Sequence, residues 1–484
     1  MNTITLIWLA LPFLVGFIIY LLPKYSHYLS VGVLSISVLY PIWLLTSGED
    51  LTLHLLDNFG NTLFIDKISG YFILTNILVT IAVLLYCWQE ERKVFFYTQL
   101  MILHGSINAS FIGYDFISFY VAIEVISIAA FLLMVYPRSD KSIWIGLRYL
   151  FVSNVAMLLY LIGAILIYKA NNSFSFDGLI NAPPEAIALI LLGLLVKGGV
   201  FISGLWLPLT HASVETPLSA LLSGIVVKAG IFPFIRLASI SDEVDFVIRI
   251  IAIATAYLGV TQAIFENDSK RLLALSTVSQ LGFVIASPAV AGFYALTHGL
   301  AKCVLFLTVG NLPSRDIREL SKKGVNLYLW LVLLWGSASI IGIPLLAGFS
   351  AKVMVMKNLV SWQDIPLNLA VIGTAIALSK LIFIPIANTS FSAIKVKRGY
   401  WLGVSILIGG LIFTNLIYPE AYTVDNMTKA LITFAIGALI YLFLLKKTTI
   451  ILPRILEKFD NLIGVMSLTL IGLFWMVLPQ LSLN

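Results

Sequence analysis

Apolar runs about as long as a bilayer core is thick follow one another along the whole chain, parted by short polar breaks. They predict membrane-spanning helices over 4–23, 28–46, 67–88, 94–112, 115–136, 145–168, 186–207, 214–237, 245–265, 272–287, 290–311, 326–362, 366–391, 400–418, 428–445 and 462–479. The twelfth run is too long for one straight span. It reads as a broken helix, 326–343 and 348–362, interrupted at Gly342-Ile343-Pro344. The fold class is therefore all-α, a polytopic membrane protein of about 14–16 transmembrane helices. No loop is long enough for a soluble domain, so function must live within the membrane.

The loops test that count. Those after odd-numbered spans are basic: Lys24; Arg92 and Lys93; Arg138 and Lys141; Lys270 and Arg271; Arg315, Arg318, Lys322 and Lys323; Lys395, Lys397 and Arg398; Lys446, Lys447, Arg454 and Lys458. Those after even spans carry mostly acids: Glu49, Asp50, Asp57, Asp177, Asp242, Glu243, Asp245, Glu420 and Asp425, with Lys169 and Arg236 the main exceptions. A missed or invented span would scramble this alternation. The positive-inside rule then makes the odd loops cytoplasmic and both termini extracytoplasmic.

Composition agrees. The 484 residues are 60% hydrophobic and 11% charged, against about 25% charged in soluble domains. The first apolar run lacks the basic flank and small-residue cleavage site of a signal peptide. Cys87 and Cys303 lie in apolar runs and form no Cys-x-x-Cys, and no GxGxxG or Walker pattern follows a strand. No cofactor and no metal site is expected, and nucleotide or redox chemistry is not expected in this chain. The net charge of +6 belongs to the loops and is not a nucleic-acid footprint.

Ionisable groups inside the spans carry the candidate chemistry. Glu124 lies in FYVAIEVISIAAFLLM, Lys197 between LILLGLLV and GGVFISGLW, and Lys228 between LSGIVV and AGIFPFI. His298 and Lys302 lie in YALTHGLAKCVLFL, Lys352 in the second half of the broken span and Lys380 in IALSKLIFIP. A charge at the bilayer centre costs about 2.5–3.5 kcal/mol on insertion scales, so such residues mark ion or proton paths. Snorkelling or simple helix pairing is the bland alternative, strongest for Arg148 and Lys357 near span ends. His298 and Lys302, four apart, share one helix face. Glu124 is the only carboxylate well inside a span, so pairing cannot neutralise every lysine. A buried lysine without a counter-charge can gain and lose protons during turnover. Glu124 is expected to pair with Lys197.

Glycine and proline interrupt spans 7 and 12 beside a lysine. Span 7 has Lys197, GGVFISG and Pro208; span 12 has GIP and then GFSAK with Lys352. Discontinuous helices in corresponding positions of two halves point to a transport site. Spans 4–8 and 9–13 number five each, so the second set is inverted relative to the first. In this frame Lys197 matches Lys352 and Lys228 matches Lys380. The expected division is 1–93 (N-terminal helices), 94–237 (first repeat), 238–398 (second repeat) and 399–484 (C-terminal helices).

At these residues the chain resembles the antiporter-like family of Mrp-type cation/proton antiporter subunits and the proton-pumping membrane subunits of complex I. The likeness covers roughly residues 60–420. It rests on the glutamate of FYVAIEVISIAAFLL, then VKGGVFISGLWLPLTHAS, LLSGIVVKAGIFPFIR, KRLLALSTVSQLGFV, HGLAKCVLFLTVG and GIPLLAGFSAK, six pieces in family order. The resemblance implies two inverted five-helix repeats with broken spans 7 and 12, and a half-channel in each repeat joined by a line of charged residues at the midplane. By position, Glu124 and Lys197 look like the family's coupled ion pair, Lys228 like its connecting lysine, His298 and Lys302 like its central relay, and Lys352 like its exit-side residue. Lys380 rests on the repeat argument alone. The chain departs from the family pattern at Gly204 (usually histidine), Leu209 (Asp), Ser213 (Glu, with Glu215 displaced by two) and Gln280 (histidine). Two further spans follow residue 420, beyond the usual fourteen, and suit docking of a neighbouring subunit.

The resemblance implies a membrane subunit of the Mrp D type, in a multisubunit antiporter exchanging sodium or another monovalent cation for protons. Length and the lysine at 352 favour this. The alternative is the proton-translocating subunit of a complex I-like or hydrogenase-like quinone oxidoreductase, with the redox work done elsewhere. A non-conducting scaffold is the third reading, because of the altered span-7 motif. The partners implied are other membrane subunits, protons, a monovalent cation and the lipid bilayer, with no nucleic acid. The membrane implied is a bacterial inner or thylakoid-type one.

Overall fold

The computed structural model describes residues 2–55, 61–387, 396–446, 448, 450 and 452–481. Asp57, Lys395, Lys447 and the far end of the expected thirteenth span lie outside them. Among the described residues, twelve helices are long and apolar enough to cross a membrane. Helices Val94–Ile112, Ser269–Ala286 and Arg398–Asn415 and the interrupted pair Leu327–Ile341 and Ala347–Lys357 occupy the other positions expected from sequence. Polar side chains lower the hydropathy of the three single helices, and the break leaves each half of the pair too short to cross alone.

Caps set several boundaries. Asp66 and Asp115 accept the backbone N–H groups of Ser69 and Ser118 at the starts of spans 3 and 5, satisfying donors the first helical turn leaves free. Span 6, Asp140–Asn171, runs 32 residues from a Ser139–Ser142 capping box to left-handed Asn172. It is longer than expected because neither glycine nor proline stops it before Asn172. One element departs from the all-helical expectation. Strands β1 (Leu51–His54) and β2 (Thr62–Ile65) form an antiparallel hairpin in register Leu51 with Ile65 and His54 with Thr62. Each strand is only four residues long, too short to stand out beside the spans.

Loop-to-loop contacts establish the alternation of sides. Odd loops bond to odd loops: Arg92 to Glu215 at 2.6 Å, Lys397 to Glu90 at 3.1 Å, Arg315 to Asp268 at 2.9 Å and Arg454 to Glu266 at 3.1 Å. On the opposite face Arg236 meets Asp66 at 2.7 Å, Tyr114 donates to Asp177 at 3.2 Å and Arg249 donates to Gln363 at 2.9 Å.

Burial separates the inner from the outer spans. Spans 8 and 11, Thr216–Ala238 and Pro288–Val309, are buried almost throughout their most apolar windows, whereas spans 15 and 16 are mostly exposed. The inner helices are where most of the intramembrane charges lie; the outer ones turn apolar side chains outward.

Candidate functional site

Two helix breaks frame the site. Helix Pro184–Gly198 ends at Gly199, φ +66°, where Val200 N–H reaches back to Leu195 O at 2.9 Å. Helix Leu327–Ile341 ends at Gly342, φ +88°, where Ile343 N–H reaches Ala338 O at 3.0 Å. Both are the glycine-dependent C-terminal turn that recovers two of the helix's free carbonyls. Phe201 (φ 53°) and Leu345 (φ 72°) follow in the left-handed region, at about 1–2 kcal/mol each for a side-chain-bearing residue. A side chain from beyond each break also donates to a carbonyl of the helix end, a second bond on Val196 at the first break and a further carbonyl at the second. Trp206 Nε1 donates to Val196 O at 2.8 Å, and Lys352 Nζ donates to Ile341 O at 3.0 Å. The Lys352 ammonium therefore faces the negative end of a half-helix.

Lys197 is placed on the first half-helix and turned toward spans 5 and 6. Its Nζ donates to Ser127 Oγ (2.6 Å), Ser153 Oγ (2.8 Å) and Tyr149 OH (3.1 Å). The expected pair with Glu124 is not a direct one. Glu124 makes no ion pair among the described residues, and its Oε1 is buried without a hydrogen-bond partner. It lies about one turn from Ser127 on the same helix, and the ammonium bonds to that hydroxyl and not to the carboxylate. The two remain close enough for their charges to interact.

Lys228 is fully buried, and its Nζ donates to the carbonyls of Ser223 (3.1 Å) and Gly224 (2.6 Å). Those carbonyls belong to a π-helical stretch, Leu222–Val226. A wide turn of this kind leaves carbonyls without their usual i+4 donor, and such bulges recur at functional sites. Across the interface Gly299 has no side chain to obstruct Lys228 Nζ, which lies 3.3 Å from where a Cβ would stand. One turn on, Lys302 is fully buried and donates to Leu273 O at 2.9 Å and to Ser276 Oγ. His298 sits among Lys228, Lys302 and Lys352, within reach of the charge of each. Neither of its ring nitrogens has a hydrogen-bond partner. It borders a cavity of about 10 Å³ shared with Gln280, Tyr294, Ser339 and Gly348, at the lower limit for one water. The structure thus brings Lys228, His298, Lys302 and Lys352 together, with Lys197 and Glu124 as a separate group in the first half.

Lys380 stands apart. Its helix, Ser361–Ile382, ends nine residues before the expected boundary, because proline at 385 cannot continue it. Lys380 therefore lies at the odd-loop end, where Nζ donates to Glu266 O at 2.9 Å. Its match with Lys228 does not hold, since Lys228 lies deep inside the bundle.

Sequence alone does not single out His211 or Lys270. His211 is wholly buried, stacks on Phe306 at 4.9 Å and has two unpartnered nitrogens. Lys270 and Lys302 both act electrostatically on it. Lys270 donates to Val214 O at 3.1 Å and lines an odd-face cavity of about 830 Å³. Their one sequence signal is position: His211 in the THAS motif and Lys270 in a basic loop. Arg148 holds the turn Ile455–Glu457 through its bond to Glu457 O.

Comparison with known proteins places this arrangement. A family described as NADH:quinone oxidoreductase/Mrp antiporter, TM matches residues 113–377, just over half of the chain. The chain belongs to this family. Among curated relatives, a putative antiporter subunit mnhA2 of Staphylococcus saprophyticus is 31% identical over 386 residues, covering 70% of this chain and 48% of that protein. The D-type subunit of a Na(+)/H(+) antiporter of Alkalihalophilus pseudofirmus is 26% identical over 394 residues, covering 73% and 80%. The chain thus spans about half the length of the mnhA2 relatives. Two solved structures share the fold at 19% identity. One is a chain of an archaeal membrane-bound sulfane sulfur reductase, with TM-score 0.77 and coverage of 90% of this chain and 99% of that one. The other is a chain of respiratory complex I from Thermus thermophilus, with TM-score 0.71 and coverage of 89% and 97%.

The family-pattern departures acquire physical reasons. A Cβ on Gly204 would lie 2.2 Å from the Gly199 carbonyl, so the break has no room for the family's usual histidine. Gln280 is tied into the interior by Tyr294 OH at 2.6 Å and by its own bond to Thr374 at 3.2 Å. Glu215 is committed to Arg92 on the odd face.

Proposed function

We propose that the chain is the proton-translocating membrane subunit of a multisubunit cation/proton antiporter, coupling proton movement to export of sodium or another monovalent cation. The observation that carries this is the partner set of the buried lysines. Among the described residues Lys197, Lys228, Lys302 and Lys352 donate only to hydroxyls and backbone carbonyls. An ammonium so held can give up its proton without leaving a carboxylate charged and unpaired, so charge can move along the row. His298, with two free nitrogens among three lysines, can accept a proton at one nitrogen and release one from the other.

In this reading protons enter from the even face and reach the row at Lys352 by the second break. They cross by His298 to Lys302 and leave past His211 through the odd-face cavity at Lys270. Glu124 and Lys197 form the corresponding switch in the first half, and 94–237 and 238–398 are the two transport units. Lys380 serves at the odd-face mouth. The odd face is cytoplasmic, the membrane is a bacterial inner membrane, and further membrane subunits pack on the exposed outer spans. The names of the curated relatives favour an ion gradient over redox work as the drive.

Exchange of sodium against an imposed pH gradient, measured in membrane vesicles carrying the assembled complex, tests this. Lys197→Ala and Glu124→Gln should each abolish exchange while assembly persists. Exchange at the wild-type rate in Lys197→Ala would sink the relay.

A further inference from the structure

We propose that the cavity beside Lys380 holds the phosphate headgroup of an anionic phospholipid. It measures about 330 Å³ and lies at the odd-face end of spans 9, 13 and 15, beneath the short helix Ile317–Lys323. Arg318, Lys322, Lys380 and Lys446 all line it, and no carboxylate does among the described residues.

Elsewhere on the odd face Arg92, Arg271, Arg315, Lys323, Lys397 and Arg454 each meet a carboxylate within 3.1 Å. The side chains of Arg318, Lys322 and Lys446 meet none among the described residues. Lys24, Lys93, Arg138, Lys141, Arg398 and Lys458 also meet no carboxylate among the described residues; what sets the four cations here apart is that they line one cavity. Lys380 is only 7% exposed and uses one N–H on Glu266 O, leaving two of its three donors for a ligand. The Glu266 carboxylate acts on Lys380 from outside the cavity but is shared with Arg271 and Arg454; the cations of the cavity wall repel one another, and a phosphate would offset that.

The rest of the wall identifies the occupant. Ile264, Tyr441 and Leu445 give the cavity an apolar side. Span 15, which supplies Tyr441 and Leu445, is mostly exposed along its length, and its next residue is Lys446. The cations thus stand at headgroup depth, with a lipid-facing helix running down from them for acyl chains to follow. Basic pockets between spans are the usual receptors for anionic headgroups. A soluble phosphate would use the cations and leave the apolar side unoccupied. The inference rests on the membrane fold and not on the relay.

The test uses the full chain in neutral detergent, with retained lipid counted by native mass spectrometry and thermal stability read in parallel. Phosphatidylglycerol and phosphatidylcholine with identical chains are the probes, with inorganic phosphate as a third arm. Wild type should retain and be stabilised by phosphatidylglycerol over phosphatidylcholine. The triple variant Arg318→Gln, Lys322→Gln, Lys446→Gln should lose at least about tenfold of that preference, at roughly one kcal/mol per cation near the surface. A control at Lys24→Gln and Lys141→Gln, in other odd loops, should keep it. Equal preference in the triple variant and wild type, or equal stabilisation by inorganic phosphate, would overturn the lipid site.

Discussion

The hydroxyl cradle of Lys197 offers the sharpest perturbation. Ser127 and Ser153 accept from its Nζ at 2.6 and 2.8 Å, and Tyr149 at the longer 3.1 Å. A hydrogen bond to a charged group contributes about 1.5–3 kcal/mol. Removing the Ser127 hydroxyl therefore costs the ammonium form that amount and the neutral form much less. At about 1.4 kcal/mol per decade this changes the ratio of the two forms by roughly tenfold or more. If transport cycles through charged Lys197, Ser127→Ala should slow pH-driven exchange about tenfold, and Ser127→Ala with Ser153→Ala about a hundredfold. Tyr149→Phe should have the smallest effect. Thermal stability should hardly move, because the lysine can shed its proton when its acceptors go. A background carrying Lys197→Met separates this from simple repacking: there, Ser127→Ala should cost nothing further. Wild-type exchange in the double variant, or an equal loss in the Lys197→Met background, would refute the reasoning.

Two other positions give clear expectations. At Gly204 an added Cβ would meet the Gly199 carbonyl carbon and oxygen at 2.2 Å, so Gly204→Ala, and still more Gly204→His, should abolish folded protein in detergent size-exclusion profiles; a folded Gly204→His would mean the break can rearrange. Burial opposes ionisation of Asp66, but the two Arg236 hydrogen bonds outweigh it and hold the carboxyl below its ordinary range. That stabilisation is complete above the unfolded carboxylate pKa of about 4 and is lost as pH falls through the lower folded value. Asp66→Asn, which breaks a buried pair at about 3 kcal/mol, should thus lower the melting temperature strongly at pH 7 and progressively less below about pH 4. A gap that stays constant with pH would show that the pair does not carry the effect.

What could be read from sequence followed the strength of the physical constraint. A helix in lipid must satisfy its own backbone, so length and hydropathy locate the spans, and alternating loop charge locates the sides. The breaks were legible because only glycine suits the left-handed turns at 199 and 342. Lys380 was misplaced for a related reason. The apolar run continues past Pro385, but the backbone cannot, and nine residues of overreach moved a mouth residue to the centre. The hairpin of β1 and β2 escaped because four-residue strands leave almost no pattern.

The site itself was legible in its ionisable groups, the lysines with Glu124 and His298, and not in what holds them. Charge inside a span is rare enough to stand out, whereas the groups that hold these lysines are serines, a tyrosine and backbone carbonyls, which are common along the spans and carry no spacing. The pairing expected from sequence was therefore the one a scarce residue suggests, Glu124 with Lys197, when the bonds belong to the common ones. This preference has a functional logic. A direct carboxylate would lock Lys197 in its charged form. With hydroxyls holding the ammonium instead, Glu124 acts on the lysine only through its field, and either group can change protonation. The π-helical carbonyls under Lys228 and the half-helix end under Lys352 do the same with backbone in place of side chain: each stabilises a proton on the lysine without supplying a second titrating group to hold it there.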